Sequence, residues 1–141
     1  MIFMNKVLQI SGTMNLGGQE TFIMNLYRSI DKSKIQFDFV VNGQKKGFYE
    51  EEIEKMGGKI FHVTPMSKNV FKHFLEVRSI IKNNNYVAVH RHSSSAVAFV
   101  DLLAAKFCNI NFRALQICHN TRFCSAPIYF SCSGNNIIYH I

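Results

Sequence analysis

Three histidines and one glycine-rich stretch are the residues of this 141-residue chain best suited to chemistry. The stretch is Ser11 to Glu20, SGTMNLGGQE. An apolar, strand-like run from Lys6 to Ile10 leads into it, and an amphipathic helical pattern leaves it. Gly12, Gly17 and Gly18 let a backbone turn sharply and approach a ligand with no Cβ in the way. A helix beginning near Gly18 aims its free N–H groups and the positive end of its dipole at the mouth of that turn. Strand, loop and helix start then make a site of phosphate size. The spelling excludes two common phosphate loops. A P-loop needs Lys-Ser/Thr after its last glycine, whereas Gly18 is followed by Gln19 and Glu20. A dinucleotide fingerprint needs glycines at positions one, three and six, a spacing absent here. Asp38 falls where that fingerprint wants an acid, but it lies inside FDFVV rather than at a strand end, which argues against a ribose contact. The alternative for the whole stretch is a strand-to-helix turn without a ligand.

His90 and His92 stand at and just beyond the end of a strand predicted over Tyr86 to His90, and His119 follows another over Arg113 to Cys118. In an open parallel sheet, ligands bind outside the carboxyl ends of the strands, where the glycine loop also lies. Three imidazoles and an anion loop therefore converge on one edge. His90 and His92 share a strand face and could bind a metal, but no third ligand stands at a convincing spacing. A packed histidine hydrogen-bonded to backbone is the other reading of His90. His119-Asn120-Thr121 reads either as a simple turn or as a polar loop that meets a sugar hydroxyl. Ser93 to Ser95 read as helix capping rather than as a nucleophile.

The elements that must position these groups alternate. Strands are predicted over Lys6–Ser11, Gln36–Val41 and Lys59–Val63, besides the two above. Between them come a helix with Phe22, Ile23, Leu26, Tyr27 and Ile30 on one face, and a short acidic helix stopped by Gly57-Gly58. Two more follow, over Val70–Lys82 and Ser95–Phe107. Such βαβα alternation gives an α/β, Rossmann-like parallel sheet with helices on both faces. After Thr121 the pattern breaks: a sixth strand, Ile128–Cys132, is reached without the crossover helix a parallel neighbour requires.

The chain is long enough for a real core, and thirteen phenylalanines supply much of its volume. A net charge of +7 points to anionic partners. No zinc-finger spacing or aromatic-basic string accompanies it, so nucleic acid is not expected. The four cysteines form no C-x-x-C pair. No signal-peptide pattern and no bilayer-length apolar run is visible, which makes a cytoplasmic location the expectation. Lys68, Lys72 and Lys82, with Phe71 and Leu75, give the Val70–Lys82 helix a basic outer side. That side is either simply solvated or able to skim an anionic bilayer at the inner face of the membrane.

With these pieces in place, the sequence resembles the N-terminal domain of a family-4 glycosyltransferase of the GT-B fold. The resemblance rests on KVLQISGTMNLGGQETFIMNLYRSID, KIQFDFVV, GGKIFHV, VAVHRHSS and LQICHNTR. It implies a domain over 1–122, with 123–141 as an irregular tail. It implies retaining transfer from a nucleotide-diphospho-sugar to a glycan or lipid-linked acceptor in bacterial surface polysaccharide synthesis, with no metal and no resident cofactor. By position, Gly17, Gly18 and His119 would meet the donor diphosphate and sugar, while Asn15, His92, Ser93 and Asn120 would line the cleft. The family's donor-binding half, with two glutamates eight residues apart, has no counterpart here. The chain is thus expected to act with a separate donor-binding chain. Otherwise it would bind a phosphorylated or saccharide ligand without turnover, or be an inert remnant.

Overall fold

The computed structural model describes residues 4–92 and 99–108, together with the strand segments 113–114, 129–133 and 136–140. Four parallel strands, β1 (Asn5–Ile10), β2 (Ile35–Asn42), β3 (Ile60–Val63) and β4 (Ala88–Arg91), lie in the order β3-β2-β1-β4. They are linked by α1 (Gly18–Ser29), α2 (Glu50–Lys55) and α3 (Val70–Asn84), and α4 (Phe99–Lys106) follows β4. This is the expected Rossmann-like sheet. The strand order, which periodicity does not give, decides where a ligand can sit. β2 and β3 extend the sheet to one side of β1 and β4 to the other, so the loops leaving β1 and β4 diverge. Such a divergence opens a crevice at the carboxyl ends.

Alternation along the strands divides the core in two. Leu8, Ile10, Val40 and Val89 pack on Val77 and Ile81 of α3 and on Ala104 and Ala105 of α4. Val7, Phe37, Phe39 and Val41, on the other face, pack on Ile23, Met24 and Tyr27 of α1 and Ile53 of α2. The central strands β1 and β2 are apolar on both faces because both faces are covered.

Helix ends follow local chemistry. Gly57 stops α2 at φ +87°, in the left-handed region that the expected glycine stop requires. The Asn69 carboxamide caps α3 by accepting from the Lys72 N–H at 2.9 Å, and left-handed Asn85 ends that helix. The expected face of α1 needs rotating. Phe22 and Leu26 are exposed while Met24 is buried, so apolar type alone misplaced that seam. On α3, Phe71 is exposed, in keeping with its basic outer side, and His73 is fully buried, where a charged neighbour lets a histidine sit inside. Lys68, Lys72 and Lys82 are exposed as expected.

The missing crossover before the expected sixth strand has a simple reason: that strand runs antiparallel to its neighbour. Described residues Arg113–Ala114 (β5) pair antiparallel with Tyr129–Ser133 (β6), and β6 pairs antiparallel with Asn136–His140 (β7). A parallel partner would require a crossover, and the sequence between β5 and β6 carries no helical pattern. Residues 115–118 of the expected strand lie outside the described residues.

Candidate functional site

The loop after β1 is held from below by its own backbone. Ser11 N–H donates to the Val40 carbonyl at 3.0 Å, and the Gly12 carbonyl accepts from Asn42 N–H at 3.0 Å. Met14 plugs the α1-side core, and its carbonyl accepts from Tyr49 N–H at 2.9 Å. Asn15 ties the loop to its neighbour: its carboxamide oxygen accepts from Phe48 N–H at 3.1 Å. Above these anchors the loop is open. A Cβ built on Gly12 or Gly18 would meet nothing within 4 Å. Neither of these glycines nor Gly17 has a positive φ, so the turn itself does not demand them. This corrects the expectation of a sharp glycine-only turn. What glycine secures at Gly12 and Gly18 is free space in front of the backbone. Gly17 occupies the N-cap position of α1 and offers no capping side chain, while the Glu20 carboxylate folds back against it from the first turn.

His92 stands one residue beyond β4, which runs to Arg91, so His90 lies within the strand rather than at its end. The His92 N–H donates to the Ile10 carbonyl at 2.9 Å, placing this residue against the root of the glycine loop. The Gln19 side chain, in the first turn of α1, closes the arrangement by donating to the His92 carbonyl at 3.3 Å and to Ser11 Oγ at 3.4 Å. His92 is thereby held beside Ser11 and the first turn of α1, next to Gly17 and Gly18, whereas Asn15 is tied to the segment that follows β2. Ser93, His119 and Asn120 lie outside the described residues. Among the described residues no group of histidine, cysteine, aspartate or glutamate side chains could hold a metal ion.

Sequence reasoning missed two buried polar systems behind this edge. Gln9 is buried on β1 opposite His90 and lies between the imidazoles, 2.7 Å from His92 Nε2 and 3.3 Å from His90 Nδ1. On the other face of the sheet, Asp101 of α4 meets His73 Nε2 at 2.7 Å and Arg91 Nε at 2.7 Å. His73 Nδ1 lies 2.7 Å from the Thr64 carbonyl, so both ring nitrogens face acceptors. Burial pulls the His73 ring down, yet its bond to Asp101, the Asp101 charge and the Thr64 carbonyl outweigh that and hold it above the ordinary histidine value. Arg91 then donates through Nη1 to the Ile10 carbonyl at 3.2 Å and to the His92 carbonyl at 3.1 Å. A polar residue inside an apolar run was the available signal at both places: Gln9 in VLQI and Asp101 in FVDLLAA. Asp38 is accounted for structurally, accepting from Lys59 N–H and the Tyr86 hydroxyl, and is no ribose contact. A groove of about 560 Å³ lies elsewhere, between edge strand β3 and α3, and none of the site residues lines it.

No family model matches the chain. Over 117 residues it is 39% identical to a Bacillus subtilis (strain 168) protein named "Putative glycosyltransferase EpsF", an alignment covering 82% of this chain and 29% of that protein. By sequence, the chain is a glycosyltransferase homologue. Its fold agrees. MurG of Acinetobacter baumannii superposes with a TM-score of 0.60 at 12% identity, over 79% of this chain and 35% of that one. The S. aureus MnaA-UDP co-structure superposes with a TM-score of 0.54 at 18% identity, over 79% of this chain and 29% of that one. At these identities the structures speak for the fold alone, the Rossmann-like unit of a GT-B architecture. The homologue spans less than a third of the length of its curated relative.

Proposed function

We propose that this chain is the acceptor-side domain of a retaining glycosyltransferase. It would move a sugar from a nucleotide-diphospho-sugar to a glycan or lipid-linked acceptor in bacterial surface polysaccharide synthesis, with the donor nucleotide held by a further domain or chain. The observation that carries the reading is the open space before Gly18 at the uncapped start of α1, directly beside His92 in the β1–β4 crevice. The sequence likeness to a glycosyltransferase supports it. MnaA of S. aureus, a fold neighbour, forms its co-structure with UDP, which is compatible with a diphosphate at such a crevice.

In this reading Gly18 leaves the approach to the first-turn N–H groups of α1 open, and Gly17 admits the donor diphosphate once the Glu20 carboxylate swings away from it. Those donors stabilise negative charge as it grows on the departing phosphate. Gln19 keeps helix and His92 in fixed relation, and His92 lines the same cleft, with Ser93, His119 and Asn120 as further contacts on the sugar side. The chain's own residues orient and exclude water. The basic contacts that complete leaving-group stabilisation belong to the donor half, so turnover is expected only when that half is supplied.

Titration of the chain with pyrophosphate, followed by backbone amide NMR, tests the site. One helix terminus contributes only about 0.3–2 kcal/mol towards a nearby charge. A millimolar dissociation constant corresponds to about 4 kcal/mol, so binding at or weaker than that is expected. Shifts should centre on residues 11–20, fade with added salt, and vanish in Gly18→Val, whose branched Cβ fills the approach. Equal binding by Gly18→Val, or shifts confined elsewhere, would reduce the loop to a structural turn.

A further inference from the structure

We infer that Gln9 is a positioning residue whose single carboxamide sets the proton arrangement of both imidazoles at the site edge, so that His92 carries its proton on Nε2, His90 keeps Nδ1 bare, and only one ring of the pair can become a cation. The inference rests on the reading of His92 as a cleft residue only for its functional meaning; the chemistry stands on geometry. Gln9 and His90 are register partners on β1 and β4, and His92 follows two residues later on the same side. The Gln9 side chain therefore lies between the two rings, and it is 1% exposed. Its Oε1 is 2.7 Å from His92 Nε2 and its Nε2 is 3.3 Å from His90 Nδ1.

A carboxamide has one accepting end and one donating end. The oxygen can face only a ring nitrogen that bears hydrogen, and the NH2 group only one that does not. His92 thus bears hydrogen on Nε2 whether it is neutral or charged. Protonating His90 at Nδ1 would set N–H against N–H in a buried place, which costs more than a lost hydrogen bond. Among the described residues no nearby charge rescues it. Arg91, its chain neighbour, points to the opposite face towards Asp101, and Gln9 and Gln19 are neutral. Burial alone already holds the His90 ring below the ordinary histidine value. The edge facing a donor sugar thereby offers imidazoles of assigned polarity rather than two interchangeable cations. Gln19 and Arg91 both donate to the His92 carbonyl and fix the backbone from which the ring projects.

Long-range 1H–15N imidazole spectra of the chain, assigned with single His90→Gln and His92→Gln variants and recorded across pH, read the arrangement directly. Expected are an Nε2–H tautomer for each neutral ring, with His90 remaining neutral at a pH where His92 has become charged. Gln9→Glu places an acceptor before both rings, and a carboxylate at this distance should raise the proton affinity of His90 by about tenfold or more. Gln9→Met removes both bonds and should leave each ring a tautomer mixture. An Nδ1–H tautomer at either ring, both rings charging together in the wild-type chain, or a His90 titration indifferent to Gln9→Glu would overturn the inference. Should the Gln9 variants fail to fold, the wild-type spectra alone decide. The pyrophosphate titration is read on different nuclei, so a loop that binds no anion would sink the proposed function and leave the tautomer result standing.

Discussion

The two faces of β4 solve the same problem by opposite means. On the α1 side, His90 and His92 are joined by a neutral carboxamide. On the α3–α4 side, one strand position away, Arg91 is joined with His73 to the Asp101 carboxylate. The first system exchanges one donor for one acceptor and buries no net charge when both rings are neutral. The second gathers an arginine and a histidine around one carboxylate and depends on all three. A buried polar group costs most when a partner is removed and the rest stay behind, so the faces should fail very differently.

Asp101→Ala should be the most damaging change. It leaves Arg91 and the His73 ring buried without their carboxylate, and one missing partner in a buried ion cluster typically costs about 3–5 kcal/mol. Urea unfolding against the parent chain measures it, with Gln9→Leu as the matched change on the neutral face. There the loss should stay within about 1–3 kcal/mol, the range for buried hydrogen-bonding groups left unpaired. Equal losses would mean that the ionic face has no special dependence on its carboxylate.

The faces should also respond to pH with opposite sign. The folded state holds His73 above the ordinary value of 6.5, so it binds the proton more tightly than the unfolded chain does. That contribution is complete below 6.5 and is lost as the pH rises through the raised folded value. His90 is held below 6.5 by burial, so its contribution is present above 6.5 and is lost as the pH falls through the lowered folded value. Stability measured at a series of pH values should therefore fall on both flanks. His73→Gln should flatten only the alkaline flank and His90→Gln only the acid one. A single variant that flattened both would show the two systems to be one.

A surface pair supplies the baseline. Arg28 grips Glu52 through two contacts of 2.6 and 2.7 Å, but both side chains are about two-fifths exposed. Solvent screens such a pair, and Arg28→Ala should cost only about 0.2–1 kcal/mol. A larger loss in the same urea assay would place the α1–α2 seam among the structural determinants.

Much of the frame was legible in the sequence because hydrophobic period and turn residues are local signals. All four parallel strands, the helix start at Gly18 and the stop at Gly57 were placed by them to within a few residues. The partners of Gln9, His73, Arg91 and Asp101 were not, since each lies on a different element and the sheet order that brings them together is a long-range outcome. Spacing brought the glycine loop and His92 to one edge correctly. It could not reveal that Gln19 clasps His92, or that Gly12 and Gly18 are free of backbone strain and matter for the room they leave. The antiparallel direction of the sixth strand was not legible either, because alternation describes a strand without stating the direction of its neighbour.

The pairing of Gln9 with His90 has a consequence for how the chain finds its fold. A parallel strand slipped by one residue keeps its backbone hydrogen bonds but exchanges its two faces. In β4 that slip would bring Arg91 to the carboxamide, which has no charge to give it, and turn a histidine towards Asp101. Between short, similarly apolar strands little else separates the right alignment from the wrong one. The polar side chains of this strand thus act as the teeth of a key: they admit one alignment during assembly, before any ligand has met the edge they later support.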